Sequence, residues 1–451
     1  MDEWQQALNE AVKRLRAWED RWDDRETPVA DEATQRALIA LTERLQDNFP
    51  FFHPRYAGQM LKPPHPAAWV AQAVTSLINP NNHALDGGPA TAQMEKEAIG
   101  ELKRLFGWPK EALGHLTTGG TMANLEALWV ARELHPTRGV AYGRNAHYTH
   151  ERVCRVLGIQ GHAVPCDASG RMDLESLDQL LDTEPIGTIV VTPGTTGLGA
   201  VDPVHKVVQR AHARGIRVHA DAAYGGFFRL LAERNPPAVD AAPFLALAKV
   251  DSLVVDPHKH GLQPYGCGAV FFKDPTVGRF HAHDSPYTYF SSDELHLGEL
   301  TLECSRPGAA AAALWTTMRA VPFRPHEGLG ELLAAGRRGA LAWAEALQED
   351  AKLRLLLEPA TDILCFGARS PRQASELSAQ SQRLFEETGR AEPGQDLHLA
   401  MIRLGRDEVE PHWPELAWDQ DTVTLLRSVV MKPQHENWWP RLHEAVRSHV
   451  R

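Results

Sequence analysis

Cysteine is scarce in this chain: Cys154, Cys166, Cys267, Cys304 and Cys365 are scattered over 451 residues with no CxxC pair. That spacing excludes a disulfide framework and a cysteine-held zinc site, and it fits reduced thiols in a cytoplasmic protein. No metal is expected. Blocks of lysine and arginine are also missing, and 47 basic residues against 58 acidic ones leave a formal charge of -11. Nucleic acid and an anionic membrane are therefore excluded as principal partners, while a small-molecule substrate is not. No window is apolar enough to span a bilayer, and the opening MDEWQQALNEAVKRLRAWED has no apolar core of a secretory signal. The expected location is the cytoplasm.

What is present is enough apolar residue, 43% of the chain, to bury a large core in two domains or in one with an appendage. Trp4, Leu8, Val12, Leu15, Trp18 and Trp22 recur at helical spacing, and a second helix is expected over about 32–45. Neither helix has an apolar partner nearby in sequence, so the pair reads as an arm that packs on a second subunit. From Asn48 to Asn82 the chain, with NFPFFHPRYAGQMLKPPHP, is too irregular for one long element and too apolar for a linker. An ordered loop lining a pocket is expected there.

After a helix patterned by Met94, Ile99, Leu102 and Phe106, strands and helices alternate to about Lys273. Strands are expected at 140–142, 163–166, 188–192, 218–220, 253–255 and 269–272, the last returning beside its predecessor. Such alternation means a mostly parallel sheet with helices on both faces. The tail reads as a small α+β domain with strands near 363–367, 397–403 and 423–431. The predicted boundaries are 1–82 for the helical arm and pocket loop, 83–322 for the large domain and 323–451 for the small one.

Four local features then converge on one cofactor. An apolar strand, Ser252–Val255, delivers Asp256, Pro257, His258 and Lys259 onto a glycine-rich loop, and a lysine past a strand end is placed for covalent work with a carbonyl. Asp221 ends another apolar strand, where a carboxylate needs a cationic partner such as a pyridinium nitrogen. His147, between a strand and a helix, can stack a flat imidazole on an aromatic ring. Gly120 and Thr121, in HLTTGGTMANLEAL, open a helix whose N-terminal amides suit a phosphate. A phosphate, an aldehyde and a protonatable ring nitrogen on one flat heterocycle describe pyridoxal 5'-phosphate.

The ordered set TTGGTMANLEAL, AHYTHERVCRVLG, TPGTTGLGAVDP, HADAAYGG, DPHKHG and ECSRPGA resembles the group II pyridoxal-phosphate-dependent amino acid decarboxylases, the family of aromatic L-amino acid, tyrosine and glutamate decarboxylases. The resemblance runs from HPRYAG through LLRSVV. It implies an α/β fold-type I architecture with a seven-stranded-type sheet and a homodimer with active sites at the interface. The implied reaction converts an L-amino acid to its amine and carbon dioxide. On that footing Lys259 is the cofactor-attaching lysine, His258 its phosphate-contacting neighbour, and Asp256 a further residue of the cofactor-binding set. Asp221 is the partner of the ring nitrogen, with Ala223 below the ring and His147 stacked above it. Gly120 and Thr121 are the phosphate pair, with Gly120 standing where some relatives have serine, and Thr196 lies near the cofactor, with Thr195 as its alternative. Arg427 matches the arginine that holds the substrate carboxylate, and Tyr56 and His83 are further substrate contacts. Tyr287 and Tyr289 are the two candidates for protonating the product carbon.

The aromatic segments FFHPRY and YTYF favour an aromatic or bulky substrate. The same set supports a carbon-carbon lyase or an aldehyde-forming oxidative deaminase as alternatives on one fold. A catalytically silent binder is disfavoured by the joint presence of Lys259, Asp221 and His147. A nucleotide-binding reading of TTGGT lacks both the P-loop lysine and the GxGxxG spacing.

Overall fold

The computed structural model describes residues 3–22, 30–281, 300–390 and 394–450. Its centre is a seven-stranded sheet built from β1 (Leu113–Thr117), β2 (Gly139–Gly143), β3 (Gly161–Val164), β4 (Ile186–Val191), β5 (Arg217–Asp221), β6 (Ser252–Val255) and β7 (Gly268–Phe272). Their spatial order is β1-β7-β6-β5-β4-β2-β3. From β6 to β3 all neighbours are parallel, and β7 runs antiparallel to both β6 and β1. Every residue of β4, β6 and β7 is buried, as expected of strands covered by helices on both faces.

The six expected strands form within a few residues of their predicted positions, and the antiparallel return of β7 beside β6 is present. β1 was not among the expected strands. HLTT reads as the lead-in to a helix because its apolar content is low, yet pairing of Leu113–Thr117 with Gly268–Phe272 makes it the sheet edge. A Cβ on Gly268 would stand 2.6 Å from the Cα of Gly119, so only glycine lets the two backbones pass. The loop expected over 48–82 likewise contains a helix, Pro66–Ser76, started by Pro66 and by His65 accepting from the amide of Ala67.

A second sheet of four antiparallel strands lies toward the C-terminus, in the order Leu353–Leu355, Ile363–Ala368, Thr422–Val429, Ala400–Gly405. The Leu329–Glu349 and His435–Arg447 helices pack together, and Trp343 is fully buried in the core they share with this sheet. The helices Glu3–Glu19 and Glu32–Leu45 contain no buried residue. Leu38, Ile39, Leu41 and Leu45 all lie more than half exposed. Among the described residues no helix is long and apolar enough to cross a membrane.

Candidate active site

The carboxyl ends of the parallel strands collect the chemistry, as the topology of an open α/β sheet requires. β5 ends in Asp221, β6 feeds Asp256, His258 and Lys259, the turn after β4 carries Thr192 to Thr196, and the loop after β2 carries His147. Asp221, Asp256, His258, Lys259, His147, Thr192, Gly194 and Thr196 line one cavity of about 290 Å³, together with Gly120, Thr121 and Ala223. The glycine of HADAAYGG brings two of the loops together: a Cβ on Gly225 would stand 1.5 Å from the carbonyl oxygen of Pro193. Gly120 is constrained in the same way, because a Cβ there would approach Oδ2 of Asp256 to 2.8 Å. Crowding by Asp256 thus favours glycine here over any residue with a Cβ.

Lys259 Nζ lies 3.0 Å from Asp256 Oδ2. Burial works to lower the lysine pKa, but the carboxylates of Asp256 and Asp221 outweigh it and hold the value above the ordinary one. Asp221 is the reverse case: burial would raise its carboxyl, and the hydrogen bond and charge of His150, with Lys259 and His219, hold it well below the carboxylate range. His150 Nε2 stands 2.8 Å from Asp221 Oδ2, and both side chains are buried. Asp221 is therefore an anion in the cavity wall, oriented further by the amide of Ala223 donating to Oδ1 at 3.3 Å.

His147 Nδ1 accepts from the amide of Thr149, which fixes the ring, and the adjacent ring of Tyr148 lies against it at 4.2 Å. Burial lowers the His147 pKa, with the nearby Lys259 acting in the same direction. A neutral, flat imidazole results. The helix Gly120–Leu134 has no side-chain cap at its N-terminus, so its first amides face the cavity as donors. Asn124 on that helix holds the carbonyl of Gly120 at 2.8 Å and is itself held by buried His219. Burial brings the His219 pKa down to about 3.

Several buried polar atoms of this wall have no partner in the protein: Thr149 Oγ1, Thr192 Oγ1, Asp256 Oδ1 and His258 Nδ1. Buried polar atoms are normally satisfied. Unspent donors and acceptors, an uncapped helix end, an anionic Asp221 and an amine fit pyridoxal 5'-phosphate. Gly120 and Thr121 would hold its phosphate with His258, Asp221 its ring nitrogen, His147 and Ala223 its two faces, and Lys259 its aldehyde.

Thr196 lines the cavity, whereas Thr195 turns its hydroxyl inward to accept from the amide of Ala200. Arg427, Tyr56 and His83 do not line it. The Arg427 guanidinium is buried and donates to the carbonyls of Gly197, Gly58 and Thr196 at 2.9, 3.1 and 2.6 Å. Tyr56 packs against Phe51 and Phe49, with ring centroids 4.8 and 6.1 Å away. His83 is half-buried beside Gly87. Tyr287 and Tyr289 lie outside the described residues. Sequence reasoning missed His150, Thr192 and Asn124; the His147-x-x-His150 spacing at a helix start, which puts two imidazoles on one side, was the available signal for the first.

Fold and cavity together define a fold-type I pyridoxal phosphate enzyme. Residues 51–369 match the model of the pyridoxal-dependent decarboxylase conserved domain. A probable L-tyrosine/L-aspartate decarboxylase of Methanoculleus marisnigri is 32% identical over 57% of this chain and 67% of its own length. An L-tyrosine decarboxylase of Enterococcus faecium is 27% identical over 76% of this chain and 74% of its own. The crystal structure of Oryza sativa TDC with PLP and tryptamine superposes with a TM-score of 0.78 at 17% identity, covering 95% of this chain and 91% of that one. This chain belongs to the pyridoxal-dependent decarboxylase family. It is accordingly a carboxy-lyase that uses pyridoxal phosphate to remove carbon dioxide from an amino acid. The nucleotide-binding alternative falls with that assignment.

Proposed function

We propose that the substrate is an aromatic L-amino acid, decarboxylated in the cytoplasm by a homodimer. The observation that carries the catalytic part is the convergence of Lys259, Asp221 and an uncapped helix N-terminus on one cavity. Bound pyridoxal phosphate supplies an aldehyde for the substrate amine and a ring that takes up the electron pair left by departing carbon dioxide. The protein's part is placement and charge. Asp221, kept anionic by His150, would hold a proton on the ring nitrogen. His147 and Ala223 would confine the ring between them and so limit the orientation in which the substrate is held. Lys259, with Asp256 holding its ammonium proton at 3.0 Å, would be the amine that holds the cofactor aldehyde.

Support for an aromatic side chain comes from a second cavity of about 850 Å³, lined by Phe49, Phe51, Phe52, Leu61, Pro63 and Tyr265. Tyr265 of that lining lies with its ring centroid 4.8 Å from that of His258, a residue of the first cavity. The names of the relatives point the same way for tyrosine, and they bring in aspartate as the competitor. The carboxylate-anchoring role of Arg427 is part of the proposal, supported by its approach to the wall residue Thr196. The protonating role of Tyr287 or Tyr289 is part of it too, resting on the family pattern. So are the boundaries at residues 82 and 322. The test is carbon dioxide release and amine formation from a panel of L-amino acids. Tyrosine, tryptophan or phenylalanine is expected to exceed aspartate and glutamate by at least about tenfold in kcat/KM, the scale of one mismatched pocket contact. Preference for aspartate would overturn the substrate assignment, and an aldehyde in place of the amine would overturn the reaction outcome.

The homodimer rests on the apolar side chains of Leu38, Ile39, Leu41 and Leu45, which the Glu32–Leu45 helix leaves more than half exposed. Light scattering of the purified protein is expected to give twice the chain mass. Replacing exposed Leu38 and Ile39 together by glutamate is expected to give the monomer with an unaltered circular dichroism spectrum. A wild-type monomer would sink this part of the reading.

A further inference from the structure

Asp362, just ahead of the Ile363–Ala368 strand of the small domain, is buried and reaches across to the large domain. Tyr224 Oη donates to its Oδ1 at 2.5 Å, and His260 Nε2 lies 3.4 Å from its Oδ2. The two rings face each other with centroids 4.6 Å apart, and Phe228 closes the space at 5.2 Å from His260. Both partners are chain neighbours of the site: Tyr224 lines the cofactor cavity three residues after Asp221, and His260 directly follows Lys259.

His260 is the unusual member. It is fully buried, yet neither ring nitrogen has a hydrogen-bond partner. An apolar side chain would occupy this slot without leaving polar atoms unsatisfied. A histidine 3.4 Å from a buried carboxylate is instead one small displacement from a charge-assisted hydrogen bond. We propose that Asp362 is a positioning residue for decarboxylation, tying the small domain to Lys259 through His260 and to the Asp221 loop through Tyr224. Lys62, Arg337 and Arg427 are the cations whose charges bear on this cluster, besides Lys259 itself. Burial raises the Asp362 carboxyl to about 6 against the opposing Tyr224 hydrogen bond and the Lys62 and Arg337 charges, and it drives the His260 pKa well below the ordinary value. At neutral pH the pair is thus a carboxylate and a neutral imidazole.

The inference rests on Lys259 being the cofactor-attaching residue, and its test separates the two. In the cofactor-free protein, Asp362→Asn is expected to move the ring-nitrogen NMR resonances of His260, which needs no cofactor chemistry; unmoved resonances would overturn the coupling. In the loaded protein, Asp362→Asn and His260→Phe are each expected to shift the pH midpoint of the visible absorption band and to lower kcat about tenfold with KM within about twofold. The double variant is expected to fall no further than either single one, because both act through one contact. Independent, multiplying losses, or a band midpoint that stays at the wild-type pH, would overturn the positioning role. Tyr224→Phe, which removes one hydroxyl and preserves the ring, replaces Asp362→Asn in both measurements if that variant does not fold. A wild-type protein without any visible band would sink the lysine assignment instead, leaving the NMR coupling to stand or fall by itself.

Discussion

Replacing Lys259 by alanine is expected to lower kcat by about 10³-fold or more and to remove the visible absorption band that the wild-type protein loses on borohydride reduction. The size follows from what the amine does in this cavity. It is the nitrogen that would carry the cofactor aldehyde, and the Asp256 carboxylate holds it at 3.0 Å in place for that task. The variant also strands Asp256, whose remaining cationic neighbour is His258 at 3.4 Å. Burial lowers the His258 pKa, so it is a poor substitute. A stability loss of about 1–3 kcal/mol is expected from the unpaired carboxylate, read as a lower midpoint in urea. The spectrum and the denaturation curve separate a chemical defect from a folding one. Retention of the wild-type band in Lys259→Ala would sink the assignment of the lysine.

Asp221→Asn is expected to lower kcat by about 10²–10³-fold with a much smaller change in KM, since a preorganised charge matters most where charge develops during reaction. The variant keeps the shape and loses the anion that holds the ring-nitrogen proton. It should also alter the acid stability of the cofactor-free protein. The folded pKa of Asp221 lies below the unfolded value near 3.8. Its pairing with His150 therefore contributes stability that is fully present above that value and is lost as the pH falls through the folded one. The asparagine variant should lack this contribution above pH 4 and converge with wild type only in strong acid. Parallel unfolding curves at every pH would show that the pair contributes nothing to stability, and an unchanged kcat would remove Asp221 from the mechanism.

The residues read correctly as cavity residues share a local signature. Lys259, Asp221, His147 and Gly120 each stand within a few residues of a strand end or helix start, where periodicity and glycine content mark the turn. Their positions on the cavity wall then follow from the sheet order. Residues recognised late or differently depend on distant partners. His150 is polar and sits on a helix, and its spacing from His147 hints only that the two imidazoles share a side; its importance lies in Asp221, 71 positions away. β1 became a strand because an edge of β7 was open to it, not because of its own propensity.

Arg427 shows the same limit from the other side. A strand-borne arginine near the end of the chain carries no mark of what it will hold, and here three of its donors go to backbone carbonyls, two of them about 230 positions away. The sequence by itself determined six of the seven strands of the large sheet, the kinds of group at their ends and hence the cofactor, because those depend on patterns a few residues long. Only the tertiary structure decided which groups face one another. The Asp221–His150 pair, the crowding of Gly120 by Asp256 and the reach of Asp362 to Tyr224 and His260 are set by sheet order and by the packing of the two domains. Contacts of that range are fixed when elements dock, and no local pattern encodes them.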